Sequence, residues 1–170
     1  MQKICVVGNT ASGKSFFVRQ VGDALSLPVF HLDQIYWSAD WSHLSRADFR
    51  EHQKELIARP QWVIDGCFSE FGLEERFQSA DAIVFIDQPA LTCAKRAIER
   101  RGTARADLPA GADDTKMSWR LGLAFLTEIL LFNLLDRPRI LRAARKANAP
   151  LFTIHQWEEE PRVLAKLREE

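Results

Sequence analysis

Residues 8–15 read GNTASGKS and place two glycines, a lysine and a serine at the spacing G-x-x-x-x-G-K-[ST]. Glycines at both positions permit a tight backbone turn whose N–H groups point inward, where they bind phosphate oxygens. An apolar stretch at 3–7 precedes the motif, and apolar residues recur at helical spacing over 16–25. A strand, a phosphate-binding loop and a helix in this order predict an α/β protein that binds a nucleoside triphosphate.

Each residue type in this loop has a chemical role. We predict that the phosphates contact the whole segment, which comprises Gly8, Asn9, Thr10, Ala11, Ser12, Gly13, Lys14, Ser15 and Phe16. The Lys14 ammonium would neutralise the β- and γ-phosphates and act in catalysis, while the Ser15 hydroxyl would ligate Mg²⁺. The following helix would present its N-terminal dipole to the same anion.

The rest of the chain alternates between strands and helices. Apolar runs predict further strands at 28–32, 61–64, 82–86 and 150–154, and helical spacing predicts helices at 45–58, 73–78, 89–101, 118–135, 138–147 and 161–168. This alternation predicts a three-layer α/β/α fold around a five-stranded parallel sheet. The 170 residues are expected to form one domain, with a short lid at about 102–117.

Ligands of parallel sheets bind at the carboxyl ends of the strands, where Asp33, Asp65 and His155 are placed. Asp65 is interpreted as a second Mg²⁺ ligand, direct or through water, or as a turn residue before Gly66. Asp33 would orient the acceptor hydroxyl or accept its proton, with helix capping as the alternative. His155 would approach the nucleotide base through its backbone groups.

The residues near Asp33 suggest an acceptor side of the site. Tyr36 and Trp37, together with Trp41, either form a wall on which a planar acceptor stacks or simply pack in the interior. Arg76 lies in the helix after the third strand, where it would bind an acceptor phosphate or pair with a neighbouring glutamate.

Four arginines precede or enter the predicted lid. Phosphoryl transfer spreads negative charge over the transferred group, so positioned arginines assist catalysis directly. Arg96 and Arg100 are four residues apart and share one helix face, and Arg101 and Arg105 follow them. Arg120 begins the helix after the lid. We predict that at least two of these side chains touch phosphate, with Arg100, Arg101 and Arg105 catalytic. The alternative is a solvated basic face.

Charge and composition limit the classes of partner. Lys+Arg and Asp+Glu both number 23, so no overall basic field attracts nucleic acid. A local patch can still bind phosphates; it comprises Arg137, Arg139, Arg142, Arg145 and Lys146. Three separate cysteines and the absence of a signal peptide predict a cytoplasmic location. The apolar stretch 121–135 is short for a membrane span, and we expect a monomer or a homodimer.

Several segments carry a resemblance to a known family. Residues 62–66 (WVIDG) and 85–89 (FIDQP), followed by Arg96, Arg100 and Arg101, resemble strand motifs and the arginine helix of adenylate kinases. The chain as a whole resembles the small P-loop kinases of the adenylate and shikimate kinase group. Segment 28–33 and residues 36–37, 62–66 and 76 bring it closer to proteins labelled DNA topology modulation protein, or adenylate-kinase-like ATPases.

The resemblance implies that Arg96 lies against adenine, Arg100 against phosphate, and 102–116 in the lid. One departure concerns the acceptor side, because adenylate kinases follow Asp-Gly with Phe-Pro-Arg, whereas residues 67–69 here read CFS. The expected activity is transfer of the ATP γ-phosphoryl group, with Mg²⁺, to a small acceptor such as a nucleoside, nucleotide or metabolite. The alternative is a nucleotide-dependent regulatory ATPase that affects DNA topology and has no small-molecule acceptor.

Overall fold

The computed structural model describes residues 1–103, 107–112 and 119–169, without the side chains of 119–121. Its strands are β1 (Lys3–Gly8), β2 (Val29–His31), β3 (Trp62–Asp65), β4 (Ala82–Ile86) and β5 (Leu151–Ile154). Its helices are α1 (Lys14–Leu25), α2 (Leu32–Tyr36), α3 (Arg46–Ile57), α4 (Leu73–Ser79), α5 (Ala90–Glu99), α6 (Trp119–Lys146) and α7 (Glu160–Glu169). A 3₁₀ turn, Trp157–Glu159, precedes α7.

The five strands form one sheet in the order β2-β3-β1-β4-β5, and every neighbouring pair is parallel. β3 and β4 are buried along their whole length, as expected for interior strands covered by helices on both faces. The predicted α/β fold with a five-stranded parallel sheet is therefore confirmed. The phosphate-binding loop leaves the central strand β1.

Alternate side chains of each strand pack against different helices. Cys5 and Val7 face a core that includes Phe49 of α3, Phe77 of α4 and Phe132 of α6. The intervening residues of β1 face the opposite core, where α1 and α7 contribute Phe17, Val21, Val163 and Leu167. This division produces the three layers.

The longest helix differs from its prediction. Pro138 lacks an N–H and its ring crowds the preceding turn, so two helices were expected, at 118–135 and 138–147. The structure instead has one continuous helix, α6, with Pro138 inside it. Phe132 before the proline and Ile140 after it are both buried in the same core. Tertiary packing on both sides therefore outweighs the local cost of the proline.

Smaller differences affect the surroundings of the site. β2 ends at His31, so Asp33 lies in the first turn of α2 rather than at the end of a strand. Ser45 is the N-cap of α3, because its Oγ accepts a hydrogen bond from the Asp48 N–H at 3.2 Å. Half of the predicted lid at 102–117, namely 104–106 and 113–117, lies outside the described residues. In the part of the chain that the structure describes, no helix is both long and apolar enough to cross a membrane.

Candidate functional site

The phosphate-binding loop needs glycine at both ends. Gly8 has φ +155°, and a Cβ atom there would lie 2.5 Å from the Ile86 carbonyl oxygen of the neighbouring strand. Gly13 has φ +100° and immediately precedes α1, in a backbone region that side chains strongly disfavour. The tight turn predicted from the sequence thus depends on two positions where a larger residue cannot be placed without strain.

Two hydrogen bonds fix the loop and its lysine. The Asn9 side-chain amide donates to the Ile129 carbonyl oxygen at 2.9 Å, which ties the buried loop to α6. The Lys14 ammonium donates to the Asn9 carbonyl oxygen at 2.8 Å. The ammonium therefore lies folded back over the loop, where an incoming phosphate oxygen would replace a backbone acceptor.

Ser15 and Asp65, predicted as metal ligands, are brought together. Ser15 Oγ donates to Asp65 Oδ2 at 2.9 Å and also lies 3.1 Å from Asp107 Oδ2. The other carboxylate oxygen of Asp65, Oδ1, is buried and has no hydrogen-bond partner among the described residues. Oxygen ligands of this kind suit Mg²⁺, which takes its remaining ligands from water and phosphate. The residues therefore fit a magnesium ion bound together with a nucleotide.

The described residues contain no group of three or more His, Cys, Asp or Glu side chains that could hold a metal ion by themselves. A magnesium ion at Ser15 and Asp65 would thus depend on nucleotide phosphates and water for most of its coordination sphere.

His31 belongs to the same cluster, although the sequence analysis assigned it no role. Its Nδ1 lies 2.8 Å from Asp65 Oδ2. Burial alone would lower the pKa of His31, but the hydrogen bond to Asp65 and the charges of Asp65, Asp107 and Asp33 outweigh it and raise that pKa. The parallel pairing of β2 with β3 places His31 opposite Asp65, so a correct strand register would have revealed the contact.

A cavity of about 270 Å³ opens over the loop, where the sequence predicts that a nucleotide binds. Its walls include Thr10, Lys14, Ser15, Phe16, His31, Asp33, Trp37, Arg100 and Asp107. At least two of the arginines around the predicted lid were expected to touch phosphate, and of these Arg100 lies on this wall, at the C-terminal end of α5. Arg96 and Arg101 are not part of that wall, and Arg105 lies outside the described residues.

A second cavity of about 440 Å³ lies on the other side of Lys14 and Asp33. We call it the acceptor-side cavity; its lining includes Gly8, Asn9, Thr10, Lys14, Asp33, Tyr36, Trp37, residues 66–71, Phe125, Glu128, Phe132, Leu135, Asp136 and Arg139. Both cavities share Thr10, Lys14, Asp33, Trp37 and Phe125. The predicted acceptor residues Asp33, Tyr36 and Trp37 therefore lie together beside the loop.

The aromatic residues combine both roles that the sequence left open. Tyr36 packs edge-on against Trp37, Phe49 and Phe68, with ring centroids 4.9, 4.9 and 5.1 Å away, and stacks on His43. These contacts are internal packing, yet Tyr36 and Trp37 also line the acceptor-side cavity. The rings of this wall therefore support one another as well as facing the cavity.

Arg76 does not take the position predicted for an acceptor ligand. Its side chain is fully buried, and its guanidinium donates to the Gln53 side chain and to the backbone carbonyls of Phe71 and Cys67. Arg76 thus holds in place the 66–71 segment that forms one wall of the acceptor-side cavity. This arrangement corrects the predicted role, because the charge is used inside the protein rather than on a ligand.

The backbone groups of His155, which were expected to approach the base, already have hydrogen-bond partners within the protein. Its N–H donates to Glu159 Oε2 at 2.6 Å, and its carbonyl oxygen accepts from Gln88 Nε2 at 2.7 Å. The N–H therefore has no hydrogen left to donate to a base, whereas the carbonyl oxygen keeps a second lone pair. The nearby Trp157 was missed: a Cβ atom on Gly13 would lie 2.0 Å from its ring, and Phe16 packs edge-on to it at 6.3 Å.

The basic patch predicted on the last third of the chain is largely paired with carboxylates. Arg137 binds Asp87 through two nitrogens, with Nη2 at 2.9 Å from Oδ2. Arg139 lies 2.9 Å from Glu70, and Lys146 lies 2.9 Å from Glu74. Three of the five cations are therefore at least partly neutralised, which weakens the case for a surface that binds nucleic acid.

Comparison with known proteins gives a likeness of fold. No family model matches the chain, and no curated protein sequence matches it. The structure is similar to a shikimate kinase from Acinetobacter baumannii in complex with shikimate, at 15% identity over 99% of this chain and 94% of that one, with a TM-score of 0.61.

Two further solved structures also have a fold similar to that of this chain. A gluconokinase from Sinorhizobium meliloti is 17% identical over 99% of this chain and 94% of that chain, with a TM-score of 0.57. A deoxyadenosine kinase from M. mycoides with bound dATP is 13% identical over 99% of this chain and all of that chain, with a TM-score of 0.52. At such sequence identities, structural similarity shows a shared architecture and nothing about activity. The chain has the α/β fold of the small P-loop kinases.

Proposed function

We propose that the protein transfers the γ-phosphoryl group of ATP, with Mg²⁺, to a hydroxyl group of a small acceptor. The observation that carries this proposal is the pair of cavities that meet at Lys14 and Asp33. A nucleotide hydrolase needs one cavity and a water molecule, whereas a kinase needs a second cavity beside the terminal phosphate. The kinase structures of similar fold, one of them with bound dATP, are consistent with this proposal.

On the donor side, the loop amides and the Lys14 ammonium would hold the phosphates. The ammonium would exchange the Asn9 carbonyl oxygen for a phosphate oxygen. Ser15 and Asp65 would hold the magnesium ion, which supplies positive charge to the phosphates when bound. Arg100, on the wall of the same cavity, would neutralise charge that develops during transfer.

Asp33 lies on the walls of both cavities and would position the acceptor hydroxyl or receive its proton. Tyr36 and Trp37 would contact the rest of the acceptor. Catalytic contacts from Arg101 and Arg105, an adenine contact from Arg96, and closure of a lid at 102–117 within a single domain remain predictions from the sequence.

The proposal is tested with Lys14→Ala. We expect turnover, measured as ADP formation over a panel of nucleosides, nucleotides and metabolites, to fall by at least about 100-fold. Lys95→Ala is the matched control, because Lys95 is exposed on α5 and pairs only loosely, at 3.7 Å, with Glu99. Turnover retained in Lys14→Ala would contradict the mechanism. ATP hydrolysis that no acceptor stimulates would favour a regulatory ATPase instead.

A further inference from the structure

The acceptor-side cavity carries more negative than positive side chains. Its described lining holds four carboxylates, which are Asp33, Glu70, Glu128 and Asp136. The cations in that lining are Lys14 and Arg139. A phosphate or carboxylate group on the acceptor would therefore enter a region of negative potential, unless one of these two cations could bind it.

Both of these cations have partners already. Arg139 Nη1 lies 2.9 Å from Glu70 Oε1 and 3.7 Å from Asp136 Oδ1. Lys14 donates to the Asn9 carbonyl oxygen and belongs to the loop that would hold the donor phosphates. Arg76, at the edge of the same wall, is directed into the protein toward backbone carbonyls. Among the described residues, the lining thus offers an anionic acceptor no uncommitted cation.

The surroundings of Glu128 also indicate that the acceptor-side cavity is negatively charged. Loss of solvent around its carboxyl group raises its pKa, and the carboxylates of Asp136, Asp33 and Glu70 raise it further. Like charges brought close together repel, so these four groups would bind a positive charge more readily than a negative one.

The remaining walls are aromatic. Tyr36, Trp37, Phe68, Phe71, Phe125 and Phe132 all line the cavity. Aromatic faces pack well against flat rings and attract cations, and they do not compensate an anion for lost water. A volume of about 440 Å³ accommodates a compound of one or two rings.

We propose that the acceptor is a neutral or positively charged alcohol with a planar ring, and that acceptors bearing phosphate or carboxylate are disfavoured. This inference rests on the proposed phosphotransferase function. An anionic acceptor would lose its hydration beside a lining with four carboxylates and two cations, both already engaged, and this excess of negative charge costs affinity. The similarity to a shikimate kinase is one of fold and does not carry a carboxylate acceptor to this chain.

In the proposed reaction, the acceptor hydroxyl oxygen forms a bond to the γ-phosphorus of ATP. The bond between that phosphorus and the oxygen bridging it to the β-phosphate breaks, and its electron pair leaves with ADP. The hydroxyl proton passes to Asp33 and from there to solvent. The products are ADP and a phosphate monoester of the alcohol, so no oxidant or further reactant is needed.

The test uses acceptors that share a ring system and differ in the charge of one substituent. Adenosine is compared with AMP, and pyridoxine and pyridoxamine are compared with 4-pyridoxic acid, at saturating ATP so that adenine compounds do not occupy the nucleotide cavity. ADP formation and the mass of the product are measured. We expect at least one pair to show a tenfold or greater kcat/KM advantage for the neutral or cationic member, and no pair to show the reverse.

Transfer that favours AMP or 4-pyridoxic acid would overturn the inference and leave the proposed function standing. If ATP binds but no compound accepts phosphate, the proposed function is overturned and the inference falls with it.

A charge reversal at the cavity provides a second test. Glu128→Lys should reduce the preference for the neutral over the anionic member of an active pair at least tenfold. Glu55→Lys is the matched control, because Glu55 is an exposed residue of α3 outside the cavity. Thermal unfolding of both variants confirms that they fold. An unchanged preference in a folded Glu128→Lys variant would overturn the inference.

Discussion

At Gly13 the phosphate-binding loop meets a residue from the far end of the chain. The backbone has φ +100° there, and the ring of Trp157 occupies the space that a Cβ atom would need. The positive φ follows from the loop motif. The contact with the Trp157 ring arises only when the 3₁₀ turn docks on α1. Gly13 is therefore fixed both by local backbone geometry and by tertiary packing.

Replacing Gly13 by alanine should lower the free energy of unfolding by roughly 1–3 kcal/mol, through strain in the loop and displacement of the Trp157 ring. ATP affinity should fall as well. Urea unfolding and calorimetric titration with ATP check both effects.

The matched control is Gly122→Ala, because a Cβ atom at Gly122 in α6 would meet no described atom within 4 Å apart from its own stretch of helix. That change should leave ATP affinity unaltered and stabilise the helix by up to about 1 kcal/mol. Equal losses of stability and ATP affinity in the two variants would contradict the role given to Gly13.

The sequence alone predicts the position of some site residues better than that of others. The loop motif brings its own spacing, so Lys14 and Ser15 could be placed without knowledge of the fold. Arg76 could not, because its burial depends on a hydrogen bond to Gln53, 23 residues away on another helix. His155 was correctly placed near a strand end, but the engagement of its backbone depends on Gln88 and Glu159, which no local pattern reveals.

Among the elements, the turn before α7 depends on one glutamate. Glu159 Oε2 accepts hydrogen bonds from the backbone N–H groups of His155 at 2.6 Å and Gln156 at 3.1 Å. Those hydrogen bonds, first from Gln156 and then from His155, lower the pKa of Glu159. The same turn carries Trp157, so this capping interaction helps to hold the ring against the loop.

Because the pKa of Glu159 is lower in the folded state, its carboxylate stabilises the protein above the ordinary pKa, and that contribution disappears as the pH falls through the lowered value. Glu159→Gln keeps an acceptor but loses the charge. We expect the variant to be less stable than the unchanged protein at pH 7 and to approach it in stability near pH 3. Chemical unfolding across that range measures the difference, and a constant gap between the two proteins would contradict this role.

α6 illustrates why elements are harder to delimit than to detect. Helical spacing correctly identified both of its halves, but Pro138 suggested a break between them. Whether a proline interrupts a helix depends on packing across it, and here Phe132 and Ile140 anchor both sides. The 118–135 and 138–147 predictions therefore failed at the boundary alone. Leu123, Leu130 and Leu134 of this helix are exposed, and use of this surface in a homodimer remains a prediction.

At the scale of the whole molecule, the ion pair between Arg137 and Asp87 joins α6 to the end of β4. The Asp87 side chain is only 7% exposed, while that of Arg137 is 39% exposed. The sequence alone indicated no partner for Asp87 and placed Arg137 in a basic patch that can bind phosphates. Only the packing of α6 beside the sheet brings the two together.

Arg137→Ala should lower the free energy of unfolding by about 1–3 kcal/mol, because a nearly buried carboxylate loses its charged donor. Arg145→Ala, at an exposed position of the same helix, should change stability by less than about 0.5 kcal/mol. Urea unfolding compares the two. If Arg137→Ala lowers the free energy of unfolding equally in the unchanged protein and in the Asp87→Asn variant, the two side chains do not act as a pair.

The attachment of Asn9 to the Ile129 carbonyl oxygen also has a thermodynamic consequence. Ile129 adjoins Glu128 and lies one turn from Phe132, both of which line the acceptor-side cavity. Any displacement of α6 by an acceptor is therefore transmitted to the loop that holds the phosphates. Linkage requires that such an effect be reciprocal, so an acceptor that alters the affinity for ATP must have its own affinity altered by ATP by the same factor.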